Sequence, residues 1–155
     1  MKGNDAVIEA LQNVLTAELS AVNEYIVHAE MLENWGYSRL AAKVKKDAID
    51  EMKHAEKLIE RILFFDGRPI VSQLNDISIG PEVEKQHRND LSAEEGAVKA
   101  YNEGIRLAVE VGDNGTRELL ESILKDEEEH LDWLEAQLDQ IGQLGIQNYL
   151  VEQID

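Results

Sequence analysis

The sequence predicts an all-α protein: a four-helix bundle with one long crossover between helices two and three and a short fifth C-terminal helix. Three observations predict it. The two prolines, Pro69 and Pro81, fall close together, with long stretches of helical apolar period on either side. Each half is itself cut once, by a short break, WGYS (35–38) and GDNG (112–115). The stretch holding the first proline, FDGRPIVSQLNDISIG (65–80), is long and polar.

The first helix is expected from about Asp5 to Asn34, with Val7, Leu11, Val14, Leu15, Val22, Tyr25 and Ala29 along its buried stripe. Asn4 or Asp5 caps its start. Ser38 is placed to cap the second helix, Arg39 to Phe64. A third runs from Glu82 to Val111 and a fourth from Thr116 to Ile141. Gly142 and Gly145 frame a last short segment, IQNYLVEQ. The two tight breaks make helices one and two antiparallel, and likewise three and four. A helix of about 27 residues is roughly 40 Å long at 1.5 Å per residue. Sixteen extended residues reach roughly 50 Å, so the linker can run the length of the bundle and leave helices two and three parallel.

The bulk properties narrow the function. With 155 residues the expectation is one domain, 1–155, with a real core. Cysteine is absent, which removes disulfides, thiolate zinc sites, iron–sulfur clusters and cysteine nucleophiles, and suits a reducing cytoplasm. No signal peptide or membrane span is expected. The formal net charge of −17 argues against nucleic acid as a partner and is compatible with cation attraction.

The halves echo each other at an offset of 76. Glu18 maps to Glu94, Tyr25 to Tyr101, Asp50 to Asp126, Glu51 to Glu127 and His54 to His130. A duplicated helix pair, related by an approximate two-fold axis, would produce this. The echo carries two Glu-x-x-His motifs, EMKH (51–54) and EEEH (127–130), near the middle of helices two and four. Residues three apart share a helix face. One helix before each motif stands a glutamate on an apolar stripe, Glu18 in LTAELSAV and Glu94 in LSAEEGAV. Four carboxylates and two imidazoles at one level are prohibitively costly to bury unpaired. Neither Lys46 nor Lys53 lies on the Glu51/His54 face. Two divalent cations would cancel the four charges and use both imidazoles. Carboxylate-rich ligation with one histidine per ion suits iron or manganese, whereas zinc favours more nitrogen or sulfur. By symmetry Glu51 and Glu127 should bridge, with Glu18 and His54 terminal on one ion and Glu94 and His130 on the other.

With Glu18, EMKH, Glu94 and EEEH in place, together with the crossover and the short fifth helix, the chain resembles the bacterioferritins over essentially its whole length. Non-haem ferritins, rubrerythrins and miniature ferritins fit less well. The resemblance implies a ferritin-like fold and a cytoplasmic homo-oligomeric shell of twenty-four subunits built from two-fold dimers. The shell would oxidise Fe(II) with dioxygen or peroxide at a di-iron centre within each subunit and store ferric mineral. It also gives Met52 a role. Pointing about 100° away from Glu51, Met52 matches the position whose sulfur, with that of a symmetry mate, ligates a b-type haem at the two-fold interface. Leu19, Asn23, Ile26 and Ile49 would line that pocket. An electron-donor protein such as a small ferredoxin belongs with iron release. Two departures stand out: Lys46 replaces a histidine that, with Asp50, serves an inner-surface iron site in some members, and Leu58 replaces a tyrosine. Tyr25, Tyr101 and Trp133 remain as central aromatics, with core packing their plainer role. A small-molecule di-metal oxidase or manganese catalase on the same bundle would need a substrate pocket for which no residues are reserved. A haem-binding subunit without chemistry of its own is disfavoured because all six ligand positions are filled.

Overall fold

The computed structural model describes residues Met1–Asp155. Its helices are α1 (Asp5–Trp35), α2 (Ser38–Phe64), α3 (Val83–Glu110), α4 (Asn114–Leu144) and α5 (Ile146–Val151), with no strand, so the fold class is the predicted one. The Asn4 side chain caps α1 by accepting from the backbone N–H groups of Ala6 and Val7. Gly36 ends α1 in the left-handed region (φ 87°), where a β-carbon would be strained.

Three expectations are corrected. Ser38 does not cap α2: it is the first helical residue, Tyr37 is the cap, and no side chain bonds there. The Arg39 N–H instead donates to the Gln153 carbonyl at 3.1 Å, so the end of the chain satisfies the start of α2. Helix α4 begins at Asn114 rather than Thr116, because Asp113 caps it by accepting from the Thr116 N–H and hydroxyl at 3.0 and 2.6 Å. It also runs through Gly142 to Leu144. Val22 is only half-buried, while Glu18 and Ala21 occupy the stripe at that level.

The crossover follows α1 from bottom to top. Ile70 exchanges two 2.8 Å hydrogen bonds with the Gln12 side chain. The Asn75 N–H donates to Ser20 Oγ (2.8 Å), the Ser78 N–H to Glu24 Oε1 (3.0 Å) and the Gly80 N–H to His28 Nε2 (2.9 Å). Positions 12, 20, 24 and 28 form a polar ladder at helical spacing that supplies partners to an otherwise unpaired extended backbone. The ladder brings α3 in beside the end of α1, where Gln86 Nε2 meets Met31 Sδ at 3.6 Å. Helix α3 therefore runs parallel to α2.

Two apolar clusters fill the bundle. One gathers Leu11, Leu15, Leu58, Ile62, Tyr101 and Leu120 near one end; the other gathers Tyr25, Leu32, Leu40, Val44, Ile141 and Tyr149 near the opposite end. On every long helix the polar residues singled out by the sequence fall between the two. Tyr149 docks α5, donating to Gln137 Oε1 at 2.6 Å and receiving His87 Nε2 at 3.1 Å.

Candidate metal centre

Glu18 of α1, Glu51 and His54 of α2, Glu94 of α3, and Glu127 and His130 of α4 meet at one level between the apolar clusters. None is more than 6 % exposed. They form two overlapping donor sets, and within each the nearest donor atoms lie within 4.8 Å of one another. The first comprises Glu18, Glu51, His54 and Glu127; the second comprises Glu51, Glu94, Glu127 and His130. Glu51 and Glu127 are common to both. His54 Nδ1 lies 2.8 Å from Glu127 Oε1 and 3.2 Å from Glu18 Oε2, and His130 Nδ1 lies 3.0 Å from Glu51 Oε1 and 3.5 Å from Glu94 Oε1. The imidazole centroids are 6.5 Å apart.

The surroundings obey the same two-fold relation. Tyr25 donates to Glu94 Oε1, and Tyr101 donates to Glu18 Oε1 at 2.9 Å, each tyrosine reaching across to the other half. On the outer side of the imidazoles, Asp126 Oδ2 is 2.9 Å from His54 Nε2, and Asp50 Oδ2 is 3.5 Å from His130 Nε2, again crossing between halves. With a cation bound, a carboxylate at the far nitrogen would keep the proton there and leave Nδ1 as an inward lone-pair donor.

Several inward atoms lack a bond. Both oxygens of Glu51, both of Glu127, Glu94 Oε2 and His130 Nδ1 are buried with no hydrogen-bond partner. The close His54–Glu127 and His130–Glu51 approaches are not aligned as hydrogen bonds. Buried polar atoms are rarely left so, and here they converge from four helices. Burial pushes Glu94 and Glu127 up to about 8 and Glu51 well above the carboxylate range, with neighbouring carboxylates adding to it. Burial alone would lower the imidazoles, but Glu127, Glu18 and Glu51 raise His54, and Glu94 takes His130 to about 9. Without cations the centre thus retains protons. A hard or borderline cation in each donor set would replace them and bond the orphaned oxygens. The donor set fits that chemistry.

Other sequence candidates lie elsewhere. Met52 is exposed on α2, as are Ile49 on the same helix and Ile26 and Asn23 on α1; Leu19 is half-buried. Trp133 is half-buried, with Lys43 Nζ 4.9 Å from its ring centroid. Tyr25 and Tyr101 are buried core residues that also bond the carboxylates. Asp47, Asp50 and His130 form a further donor group, with Lys46 Nζ 3.4 Å from Asp50 Oδ2. No helix is long and apolar enough to cross a membrane.

Sequence reasoning missed one group. Glu24, His28 and Asp90 are buried together beside the centre. The signal was the 20, 24, 28 spacing of polar residues on α1, but only the path of the crossover gives it meaning. The roles of Asp126, Tyr25 and Tyr101 were half visible, because the offset paired them with Asp50 and with each other without naming what they touch.

Comparison with known proteins agrees with this geometry. Residues 8–144 match the family model for the ferritin-like domain. The chain is 42 % identical to the bacterioferritin of Brucella melitensis, over 96 % of this chain and 92 % of that protein. It is 40 % identical to the bacterioferritin of Mycobacterium leprae and 39 % identical to bacterioferritin BfrA of Mycobacterium tuberculosis, each over 96 % of this chain and 94 % of the relative. A four-helix bundle with a full-length crossover, four glutamates and two histidines between its core clusters, and identity near 40 % along almost the whole chain together place this protein in the bacterioferritin family.

Proposed function

We propose that the chain is the subunit of an iron-storage shell and a ferroxidase, taking Fe(II) as substrate at the six-residue centre. The observation that carries the reading is the pair of overlapping donor sets sharing two fully buried carboxylates, Glu51 and Glu127, whose oxygens have no other partner. Iron storage comes from the likeness to proteins named bacterioferritins. Two bound iron ions supply the electrons that reduce dioxygen or peroxide.

The chain's own groups set the conditions for this. Glu51 and Glu127, common to both donor sets, would hold both ions, with Glu18 and His54 holding one and Glu94 and His130 the other. Tyr25 and Tyr101 hold the Glu94 and Glu18 carboxylates by one oxygen each; the second oxygen of Glu94 has no partner, and that of Glu18 faces His54 Nδ1 at 3.2 Å. Asp126 and Asp50 orient the imidazoles. The apolar clusters at either end stiffen the four helices, so that the donors keep their spacing as charge changes.

The same reading extends to assembly. Twenty-four chains of 17.5 kDa make a cytoplasmic homo-oligomeric shell of about 400 kDa. The exposed Met52, with Ile49 and Ile26 nearby on the outer faces of α2 and α1, suits a two-fold interface. A thioether is a soft ligand for haem iron, so Met52 and its symmetry mate would hold a b-type haem there. A ferredoxin-type donor would supply electrons for iron release.

The test is Fe(II) oxidation in Glu18→Ala and His130→Ala. Each variant should lose rapid oxidation while shells of wild-type size still form by light scattering. Rates equal to wild type in both would refute the assignment.

A further inference from the structure

The group that sequence reasoning missed lies between the centre and the outside. Glu24 is 4 % exposed, yet it lines a groove of about 950 Å³ enclosed by α1, α3 and the crossover, together with Ser20, Asn75 and Ser78. Asp90, on α3, lies on the inner side. It borders a void of about 10 Å³ whose wall also includes Tyr25, Asp47 and His130. That void is at the lower limit for one water. Glu24, Asp90 and the void thus form a line of polar groups between the groove and His130.

Hydrogen bonding decides what this group can hold. The Gly80 N–H donates to His28 Nε2, so that nitrogen carries no proton. The neutral imidazole then has its proton on Nδ1, which donates to Asp90 Oδ1 at 2.8 Å. A cation on Nδ1 would require Nε2–H to face the Gly80 N–H, donor against donor. His28 is therefore unsuited to be a metal ligand, although Glu24, His28 and Asp90 are close enough to form a donor set. Glu24 Oε1 accepts from the Ser78 N–H, while Glu24 Oε2 is buried without a partner beside the Asp90 carboxylate. Two carboxylates can bond there only through a shared proton.

We propose that Glu24 and Asp90 are a proton relay joining the outer groove to the six-residue centre, with His28 as the residue that positions Asp90. This rests on the reading of that centre as a two-cation site. Reducing dioxygen to hydrogen peroxide with electrons from two Fe(II) takes up two protons, and cation loading sends displaced protons the other way. In the inward direction the Glu24 O–H bond breaks as Asp90 accepts its proton. Asp90 would pass the proton to a water in the void, that water would hand it on to the oxygen being reduced at the centre, and a proton from bulk solvent would reprotonate Glu24 through the groove. The groups facing the pair are His28 and Tyr25 on α1, Asp47 on α2, Glu94 on α3 and, across the void, His130 on α4, with His87 facing His28. Burial, then mutual bonding and charge, hold Glu24 near 8; burial with Glu94 and Asp47 holds Asp90 near 8; and burial takes His28 to about 4. The pair therefore holds a transferable proton near neutral pH while the histidine stays neutral.

Glu24→Gln is the decisive variant. Its amide keeps the carbonyl for Ser78 and an N–H for Asp90 but cannot pass a proton. The intact shell, free of metal and oxygen, is mixed with Co(II), and cobalt absorbance and a pH indicator are followed together in H₂O and D₂O. Two Co(II) per subunit and an unchanged proton count are expected in both proteins. Proton release in the variant should be about a hundredfold slower, the lower end of the usual range for losing a positioned acid–base group, with a larger solvent isotope effect, and Glu24→Asp should restore it. An unchanged release rate would overturn the relay and leave the two-cation reading intact. So would slowing without an isotope effect, which would assign Glu24 to cation access, or a third cobalt site lost with Glu24. Failure of wild type to bind Co(II) at the centre would overturn the function reading and the relay with it.

Discussion

Replacing Glu127 with glutamine should stabilise the cation-free protein. Glu127 is fully buried, and both its oxygens lack partners. Burial first, then the charge of Glu18, raises it from 4.5 to about 8. Between those values the folded chain keeps a proton that the unfolded chain has released. A carboxyl raised by folding favours the folded state least at high pH, so its unfavourable contribution grows as pH rises from 4.5 and levels off near 8. At pH 7 the unfolded group lies roughly 2.5 pH units past its midpoint, which at about 1.4 kcal/mol per unit comes to about 3 kcal/mol. Glutamine has the shape of the protonated acid, incurs no such loss, and finds acceptors in the neighbouring carboxylates. Melting of chelator-treated shells by calorimetry should therefore show Glu127→Gln higher by roughly 5–10 °C at pH 7. The difference should shrink to about 1 °C or less at pH 4.5, on the same scale. Adding Zn(II) should narrow or reverse the order, because wild type regains more from the cations. A variant that melts at or below wild type at pH 7 without metal would show that the centre is not strained by its carboxylates.

Three further outcomes follow from single contacts. Asp126→Asn should weaken Co(II) binding by about tenfold or more in an anaerobic titration, because His54 loses the carboxylate at its outer nitrogen; equal affinity would remove Asp126 from the site. Met52→Leu should abolish the haem absorbance and leave Fe(II) oxidation at the wild-type rate, since Met52 points away from the centre; retained haem would mean a different axial ligand. Gly80→Ala would place a β-carbon 2.5 Å from the Gln86 backbone nitrogen, so the crossover must shift and surrender its bond to His28. A loss of about 1–3 kcal/mol is expected by denaturant unfolding, and wild-type stability would show that this contact yields easily.

The parts of the fold governed by local periodicity were legible in the sequence. Glu18, Glu51, His54, Glu94, Glu127 and His130 could be gathered from residue spacing alone, because a helix fixes which residues share a face and the offset of 76 fixes their common level. The course of the crossover followed from reach alone, since its residues can span the bundle. What resisted was every feature decided by non-local contact. Ser38 has the chemistry of a cap, but Gln153, more than a hundred residues away, satisfies the start of α2. Glu24 and His28 look like ordinary polar positions on a helix. They are buried because an extended segment with unpaired N–H groups lies along them, and the 20, 24, 28 spacing on α1 says nothing of that until the path of the crossover is known.

The placement of the centre also explains how one chain tolerates it. Two apolar clusters, each joining all four long helices, hold the bundle from both ends. They contribute the stability that lets the level between them carry four carboxylates and two histidines with unbonded atoms. The two-fold relation then does more than duplicate ligands. Because Tyr25 serves Glu94 and Tyr101 serves Glu18, neither half can set its own first-helix carboxylate alone. The same holds for the imidazoles, with Asp126 serving His54 and Asp50 serving His130. Loss of registry between the helix pairs would therefore disturb both donor sets together. The arrangement departs from symmetry at one place: Glu24 and His28 map to Ala100 and Gly104, which have no acid–base chemistry. The crossover lies on α1, and so do Glu24 and His28. The proposed relay would need such an inequality, and the chain supplies it with the one connection that a duplicated helix pair cannot repeat.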